Sequence, residues 1–319
     1  MNQQLVNKIL ITIGFLFIFR LLAYVPVPGV DTAVIASFFD EHQADALGLF
    51  NMFSGNAVER LSIISLGIMP YITASIIMEL LAATFPNLAQ MKKERDGMVK
   101  YMQIIRYATI AITIVQAIGV SIGLQGMTGK DGSSAVLVDH TTFMLLATVS
   151  MLAGTMLLMW IGEQITQSGI GNGVSLIIFA GIVSAIPSGI GQAVTMVNTG
   201  AMSFLTLLAV IVLVIATVLV IIYVELGERR IPVTYAKKTM LQHQNKRVMN
   251  YIPVKVNLSG VIPVIFASAI LMFPITVLSS STNPYVQTIA DLLNPNHYFF
   301  NFLTFVFVVF FAFFYASIV

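Results

Sequence analysis

The sequence contains no cysteine, and this absence excludes disulfide bonds and thiolate metal sites. The few histidines do not suggest a metal site either, because they are far apart and fall in predicted loops: His42, His140, His243 and His297. The residues therefore imply no metal centre and no bound cofactor.

Charge is also scarce. Only 9% of the 319 residues are charged, whereas 57% are hydrophobic. A water-soluble globule of this composition would expose a large apolar surface, so the composition indicates an all-α membrane protein that crosses the bilayer several times. Eight long, nearly uncharged runs fit this interpretation, at about residues 8–28, 61–83, 104–124, 141–161, 173–191, 203–224, 258–278 and 299–319.

The basic residues predict the orientation of these spans. Most of the 16 lysines and arginines lie between spans two and three, between spans six and seven, or at Lys8. Cytoplasmic loops are enriched in lysine and arginine, so these loops and the N-terminus are predicted to be cytoplasmic. The opposite loops carry mainly acidic residues, and Arg20 lies inside span one.

One apolar segment occurs twice. Residues 67–77 and 260–270 share glycine, proline, isoleucine, alanine, serine and isoleucine in the same register. These residue types are common in membrane helices, so chance is one explanation. Spans two and seven run in opposite directions, however, and their offset of five spans predicts an inverted repeat of two five-helix halves, 1–198 and 199–319. Ten helices would complete such a pair, so we expect the sequence to stop before the second half is finished.

Residues 47–60 form a moderately apolar segment that is too short to cross a bilayer. Its position directly before the Gly/Pro-interrupted second span predicts a short re-entrant helix that folds into a cavity lined by that span. An amphipathic helix lying at the headgroups is the alternative.

Several motifs resemble one family, that of SecY, the bacterial protein-conducting channel. They are Leu49-Phe-Asn-Met-Phe-Ser-Gly55, Leu66–Ile77, Met159-Trp-Ile-Gly-Glu-Gln-Ile-Thr166, Gly169-Ile-Gly-Asn-Gly173, Tyr235-Ala-Lys-Lys238 and Lys255–Pro263. The resemblance covers the whole chain in order. It implies a bacterial plasma-membrane channel that passes unfolded secretory chains and releases membrane segments sideways between helices two and seven.

The resemblance also implies roles for individual residues. The pore constriction falls on Ile68, Ile72, Val174, Ile178 and Ile265. The plug within segment 47–60 falls on Phe50, Asn51, Met52, Phe53, Ser54 and Gly55, and the lateral gate on Thr73, Gln116 and Phe273. A ring of branched aliphatic side chains can exclude water and ions by dewetting and still yield to a passing polypeptide.

Partners follow from the same resemblance: the SecE and SecG subunits, the SecA ATPase, the translating ribosome, signal sequences with their nascent chains, and membrane lipids. The ribosome and SecA are expected at the cytoplasmic loop 226–257, whose basic residues suit RNA phosphates: Arg229, Arg230, Lys237, Lys238, Lys246 and Arg247. Enforcement of topology and contact with anionic lipid are the alternative roles of these charges.

Two other functional classes fit the residues less well. A coupled solute transporter usually holds ionisable groups at mid-membrane, whereas Glu79, Glu163 and Glu225 lie near predicted cytoplasmic helix ends. An intramembrane enzyme would need a catalytic set, and the sequence has no His-Glu-x-x-His motif, no aspartate pair within spans and no phosphate-binding loop. We therefore expect no enzymatic activity, and the energy for transport to come from a partner.

Overall fold

The computed structural model describes residues 3–35, 55–125, 134–233, 251–257 and 297–318, together with residues 260, 263, 264, 266–268, 270 and 271. Several predicted site residues lie outside these ranges: Phe50, Asn51, Met52, Phe53, Ser54, Ile265, Phe273, Lys237, Lys238, Lys246 and Arg247.

The described chain is mostly helical. Its helices are α1 (Gln3–Leu22), α2 (Met69–Thr84), α3 (Pro86–Lys93), α4 (Arg95–Gln125), α5 (His140–Ser168), α6 (Gly173–Asn198), α7 (Phe204–Glu225) and α8 (Tyr298–Ile318). Six of these are long and apolar enough to cross a membrane, and α2 with α3 forms a seventh candidate that is bent by 111°. Seven of the predicted spans thus coincide with helices, and the described residues of the seventh span, between 263 and 271, have helical backbone.

Helix α2 begins later than hydropathy predicts. Residues 61–68 form turns, although Leu61, Ile64 and Leu66 are buried, and the helix starts at Met69. Gly67 has a φ of 58°, and Pro70 lies in the first turn, where its missing N–H costs no hydrogen bond. The glycine therefore ends the turn segment and the proline starts the helix.

The second copy of the repeated segment has the same local conformation. Gly260, the counterpart of Gly67, also has a φ of 58°, and Pro263 has helical backbone, as Pro70 does. The amide of Gly260 donates to the side-chain oxygen of Asn257 at 3.1 Å. The two copies thus share a left-handed glycine followed by a helix, not only a residue pattern.

The described end of the predicted re-entrant helix is not helical. Residues 55–60 form turns, and both Gly55 and Asn56 have positive φ, at 71° and 64°. Two consecutive left-handed residues cannot continue a right-handed helix. The prediction of a helix as far as residue 60 is therefore wrong at this end.

The chain divides into two compact units, and the first comprises residues 1–189 and 264–308. Its core packs α4 against α5, with α2 and the turn segment 55–68 alongside. The central buried side chains include Val27, Leu61, Phe143 and Met151. Close helix contacts rely on glycine: a Cβ on Gly154 would overlap the carbonyl of Ile63, and one on Gly173 would overlap the carbonyl of Gly162.

The second unit comprises residues 190–263 and 309–319. After α7 the chain forms an antiparallel hairpin of β1 (Glu228–Pro232) and β2 (Tyr251–Lys255), which the sequence analysis did not anticipate. The amide of Val256 donates to the carbonyl of Gly227, and the side-chain amide of Asn257 donates to Glu225 at 3.0 Å. These bonds join the base of the hairpin to the end of α7.

Candidate functional site

The first unit contains a cavity of about 700 Å³. Its wall is built from residues of α2, α3, α4, α5 and the start of α6, among them Tyr71, Lys93, Arg106, Glu163, Asn172 and Val174. The cavity therefore reaches Val174, one of the predicted constriction residues, and Tyr71, which lies between two others in the sequence. Its lining combines apolar surface with charges of both signs.

The other described constriction residues occupy different environments. Ile68 and Ile72 are buried, with 4% and 6% of their surfaces exposed, and the amide of Ile72 donates to the carbonyl of Ile68 at 3.1 Å. Val174 and Ile178 of α6 are half-buried. Val174 and Ile178 lie four residues apart in α6 and so share one of its faces, whereas Ile68 lies just before the first residue of α2.

Glycine packing fixes the position of Val174. A Cβ on Gly162 of α5 would lie 3.4 Å from a methyl group of Val174 and 3.5 Å from Ile177. The amide of Gly173 donates to the hydroxyl of Thr166 at 2.8 Å, and the side chain of Asn172 accepts from the amide of Ser175. The motif Gly169–Gly173 thus seats the start of α6 tightly against α5.

Two ion pairs brace the cavity wall. Arg106 of α4 makes a bidentate pair with Glu163 of α5, with distances of 3.2 Å from Nε and 2.7 Å from Nη2. Lys92 of α3 lies 3.5 Å from Glu79 of α2. From the sequence alone, Lys92 and Arg106 count among the basic residues that predict orientation. Glu79 and Glu163 are charges near predicted cytoplasmic helix ends. Sequence spacing does not predict this pair, because Arg106 and Glu163 are 57 positions apart in the chain.

Two of the predicted gate residues, Thr73 and Gln116, lie within the described ranges. Thr73 is half-buried, and its hydroxyl donates to the carbonyl of Met69 in its own helix at 3.0 Å. Gln116 of α4 is half-buried. Their gate roles remain predictions.

Gly55 is the one predicted plug residue within the described ranges. Its carbonyl accepts a hydrogen bond of 2.6 Å from Nη1 of Arg20, near the end of α1. The sequence analysis noted Arg20 only as a charge inside span one and assigned it no role.

An aromatic contact lies beside this bond. The guanidinium of Arg60 lies 4.1 Å from the ring centre of Tyr24, and that of Arg20 lies 5.3 Å from it. A hydrogen bond from Arg60 and the positive charges of Arg20 and Arg60 lower the pKa of the Tyr24 phenol below its ordinary value.

The basic loop is described only at its base. Arg229 and Arg230 are exposed on β1, and the guanidinium of Arg230 lies 4.8 Å from the ring centre of Tyr251 on β2. Within the described ranges, no group of three histidine or acidic side chains is placed to hold a metal ion.

Comparison with known proteins identifies the family. The SecY family model matches residues 62–319. The chain is 63% identical to the protein translocase subunit SecY of Helicobacter pylori strain J99, covering 100% of this chain and 76% of that protein. It is 43% identical to the same subunit of Escherichia coli K12, covering 99% of this chain and 72% of that protein.

Solved structures show the same fold at low identity. One concerns the plug domain of SecY and the closed state of its channel, with a TM-score of 0.64 and 22% identity. Another is Sec61 in a canine ribosome–channel complex, with a TM-score of 0.61 and 20% identity. In both cases the match covers 90% of this chain and 60% of the solved chain.

Proposed function

The chain belongs to the SecY family of protein translocase subunits, and from this membership we propose that it forms the pore of a channel that passes unfolded polypeptides across a bacterial plasma membrane. It is a multi-pass membrane protein. The observation that carries the proposal is 63% identity over the whole chain to a named translocase subunit. The basic loops further support a cytoplasmic N-terminus.

A constriction of Ile68, Ile72, Val174, Ile178 and Ile265 would seal this pore. An isoleucine that faces lipid would be exposed in the isolated chain, whereas Ile68 and Ile72 are buried. Val174 lines a cavity of about 700 Å³ with mixed polar and apolar walls, which suits side chains of every type. Branched aliphatic groups can exclude water without binding a passing chain.

Helices two and seven of the repeat would form the lateral gate, with Thr73, Gln116 and Phe273 at its edge. The shared left-handed glycines, Gly67 and Gly260, support a common role for the two copies. We propose that residues 1–198 and 199–319 belong to two inverted five-helix halves, each contributing one side of the gate. Residues 50–55 would form the plug that blocks the closed pore.

The proposed partners are SecE, SecG, SecA and the translating ribosome, with signal sequences and nascent chains as cargo. Exposed arginines at the base of the hairpin, Arg229 and Arg230, support a site for RNA phosphates or for an acidic protein surface. The canine relative was solved in a ribosome–channel complex. We propose that the subunit itself catalyses no reaction and that SecA or the ribosome drives transport.

Disulfide crosslinking tests the lateral gate. In the full-length protein, Thr73→Cys and Phe273→Cys are combined, and export of a secretory reporter is measured in membranes before and after reduction. The sequence contains no other cysteine, so the background is low. We expect the crosslink to form and to block export, and reduction to restore it.

The matched control combines Phe273→Cys with Thr217→Cys, which lies on the exposed helix α7. Normal export by the locked Thr73–Phe273 protein would reject the gate and reopen the solute-transporter alternative.

A further inference from the structure

The connection between α5 and α6 is held by hydroxyl groups from two different helices. The amide of Ile170 donates to the hydroxyl oxygen of Thr12, on α1, at 3.1 Å. The amide of Gly173 donates to the hydroxyl oxygen of Thr166, on α5, at 2.8 Å. Gly173 is the first residue of α6, and Ile170 lies outside both helices, so neither amide has an intrahelical acceptor. The two threonine side chains supply the acceptors instead.

The two hydroxyls are oriented in the same way. The hydroxyl of Thr12 donates to the carbonyl of Lys8 at 2.9 Å, and that of Thr166 donates to the carbonyl of Gly162 at 2.8 Å. Each hydroxyl thus directs its one hydrogen to the carbonyl four residues earlier in its own helix, and its lone pairs remain for the amide of the connection. Valine has the same shape as threonine but offers neither donor nor acceptor, so Thr12→Val would leave the Ile170 amide without this partner.

The packing of α1 on α5 holds Thr12 at this point. Thr12 and Phe19, seven residues apart, are buried on one face of α1. Phe15 makes an edge-to-face contact with Trp160 of α5, with ring centres 5.9 Å apart. A Cβ on Gly169 would lie 2.5 Å from the hydroxyl oxygen of Thr12, closer than a side chain can approach. Glycine at this position therefore allows the chain to reach the hydroxyl.

The held connection leads directly into the predicted constriction. Val174 follows Gly173 as the second residue of α6, and it lines the cavity of about 700 Å³. The bond from Thr166 ties the start of α6 to α5 alone. The bond from Thr12 ties the same connection to α1, 158 positions away in the sequence. A segment held at two points has less freedom to move than one held at a single point, so the two bonds together restrict where α6 begins.

We propose that Thr12 is a positioning residue for the pore constriction: its hydroxyl holds the amide of Ile170 and thereby sets where α6 begins and where Val174 lies. The inference deepens the proposed function and rests on it, because it takes Val174 as a member of the constriction. A ring of aliphatic side chains excludes water only while its members stay close together. Displacement of Val174 would open a gap in the ring that water and ions can enter.

Hydrogen exchange tests the bond without using transport. Exchange at the Ile170 amide is measured in the detergent-solubilised full-length protein, by mass spectrometry with electron-transfer fragmentation. Loss of the acceptor should accelerate exchange at this amide by about tenfold in Thr12→Val, whereas Thr12→Ser retains the hydroxyl and should exchange nearly as slowly as the unchanged protein. Thr109→Val is the matched control, because Thr109 is also buried and its hydroxyl donates to the carbonyl of Ile105 in its own helix. It should leave exchange at Ile170 unchanged.

Ion conductance tests the link from Thr12 to the constriction. The resting conductance of the full-length protein is measured in planar bilayers. Thr12→Val should raise it several-fold, whereas Thr12→Ser and Thr109→Val should leave it unchanged. Val174→Gly should raise the conductance by itself, because it removes a member of the ring. Adding Thr12→Val to Val174→Gly should then raise it little further, because two changes that act through one group are not additive.

The outcomes separate the inference from the proposed function. Unchanged exchange at Ile170 in Thr12→Val would overturn the inference, and so would equal acceleration in Thr109→Val, which would indicate general loosening. If Val174→Gly raises the conductance but Thr12→Val does not, or if their effects are additive, Thr12 does not act through Val174 and the inference is wrong. If Val174→Gly leaves the conductance unchanged, the proposed constriction fails at Val174, while faster exchange would still support Thr12 as the residue that positions the start of α6.

Discussion

Single residues set the geometry of the cavity wall. The bidentate pair of Arg106 and Glu163 restricts the separation of α4 and α5. The planar guanidinium can donate both hydrogen bonds only when the carboxylate lies within a narrow range of positions. The Arg106 side chain is 45% exposed and that of Glu163 is 17% exposed. Solvent screening at such a pair limits its contribution to stability, so its main effect is to define the shape of the cavity.

Glycine contacts also determine how α5 packs. At Gly154, any side chain would overlap the carbonyl of Ile63 in the turn segment before α2. Backbone atoms cannot move aside as a flexible side chain can. The packing of α5 on the turn segment therefore depends on the absence of a Cβ at this position.

We expect Gly154→Ala to lower the free energy of unfolding by about 1–3 kcal/mol, because α5 and the turn segment must separate to admit the methyl group. The measurement is thermal or denaturant unfolding of the purified protein in detergent micelles. Gly119→Ala, in α4, is the control, since no heavy atom lies within 4 Å of its Cβ position. It should be neutral or stabilise by up to about 1 kcal/mol. Equal effects of the two substitutions would contradict the contact.

At the scale of elements, the two copies of the repeated segment, 67–77 and 260–270, have the same local backbone conformation at their first residue. Gly67 and Gly260 both have a φ of 58°, and each is followed three residues later by a proline with helical backbone. The glycine turns the chain, and the proline prevents the helix from extending back into the turn. In the first copy the helix therefore starts at a defined residue, Met69.

We expect Gly67→Ala and Gly260→Ala each to destabilise the protein by about 1 kcal/mol, because alanine is strained at positive φ. No heavy atom lies within 4 Å of the Cβ position of Gly260, so its effect would come from backbone strain alone. Unfolding of the two variants is compared with that of Gly14→Ala, a glycine inside α1 with equally open surroundings. If the Gly14 and Gly260 substitutions behaved alike, the left-handed conformation would be refuted.

Elements differ in how far the sequence predicts them. Hydropathy located the long helices, because a bilayer-length apolar run can form few other structures in a membrane, but it missed their ends by up to nine residues, as at the start of α4. It missed the turn at residues 61–68, since those side chains are as buried as helical ones and only Gly67 and Pro70 signal the difference. The strands β1 and β2 were missed because they are short, lie in a charged loop and pair across a long separation in sequence.

For the candidate site, the sequence predicted which nearby residues share a helix face but not which distant residues are in contact. The four-residue spacing predicted a shared helix face for Ile68 with Ile72 and for Val174 with Ile178. Val174 and Ile178 both lie in α6, whereas Ile68 precedes the first residue of α2. The contacts of Arg20 with Gly55 and Ser184 were not predictable, because the partners are far apart in the sequence. Gly55 is 35 positions from Arg20, and Ser184 is 164 positions from it. No local periodicity carries such information.

For the molecule as a whole, the distribution of apolar surface determines whether water or lipid is the favourable environment. Helix α7 buries none of its residues, although nearly all of them are apolar. Such a surface is unfavourable in water and favourable in lipid, where the helix satisfies its own backbone hydrogen bonds. The surface of α7 is therefore consistent with direct contact with lipid or with a partner helix.

We expect a charge at the centre of α7 to be excluded from the bilayer. Val214 lies near the middle of the helix and is half-exposed. Val214→Lys should raise the free energy of membrane insertion by about 2.5–3.5 kcal/mol, because the ammonium group must be dehydrated or pulled to the interface. Insertion is measured from the glycosylation pattern of the full-length protein with acceptor sites placed on either side of α7.

Leu226→Lys provides the matched control, since Leu226 follows the last residue of α7 and is 75% exposed. A lysine there reaches the polar interface, so insertion should change little. Equal insertion of both variants would mean that the middle of α7 faces water or an acidic partner, and the helix would then line an aqueous path instead of contacting lipid. The comparison thus tests whether the middle of α7 contacts lipid.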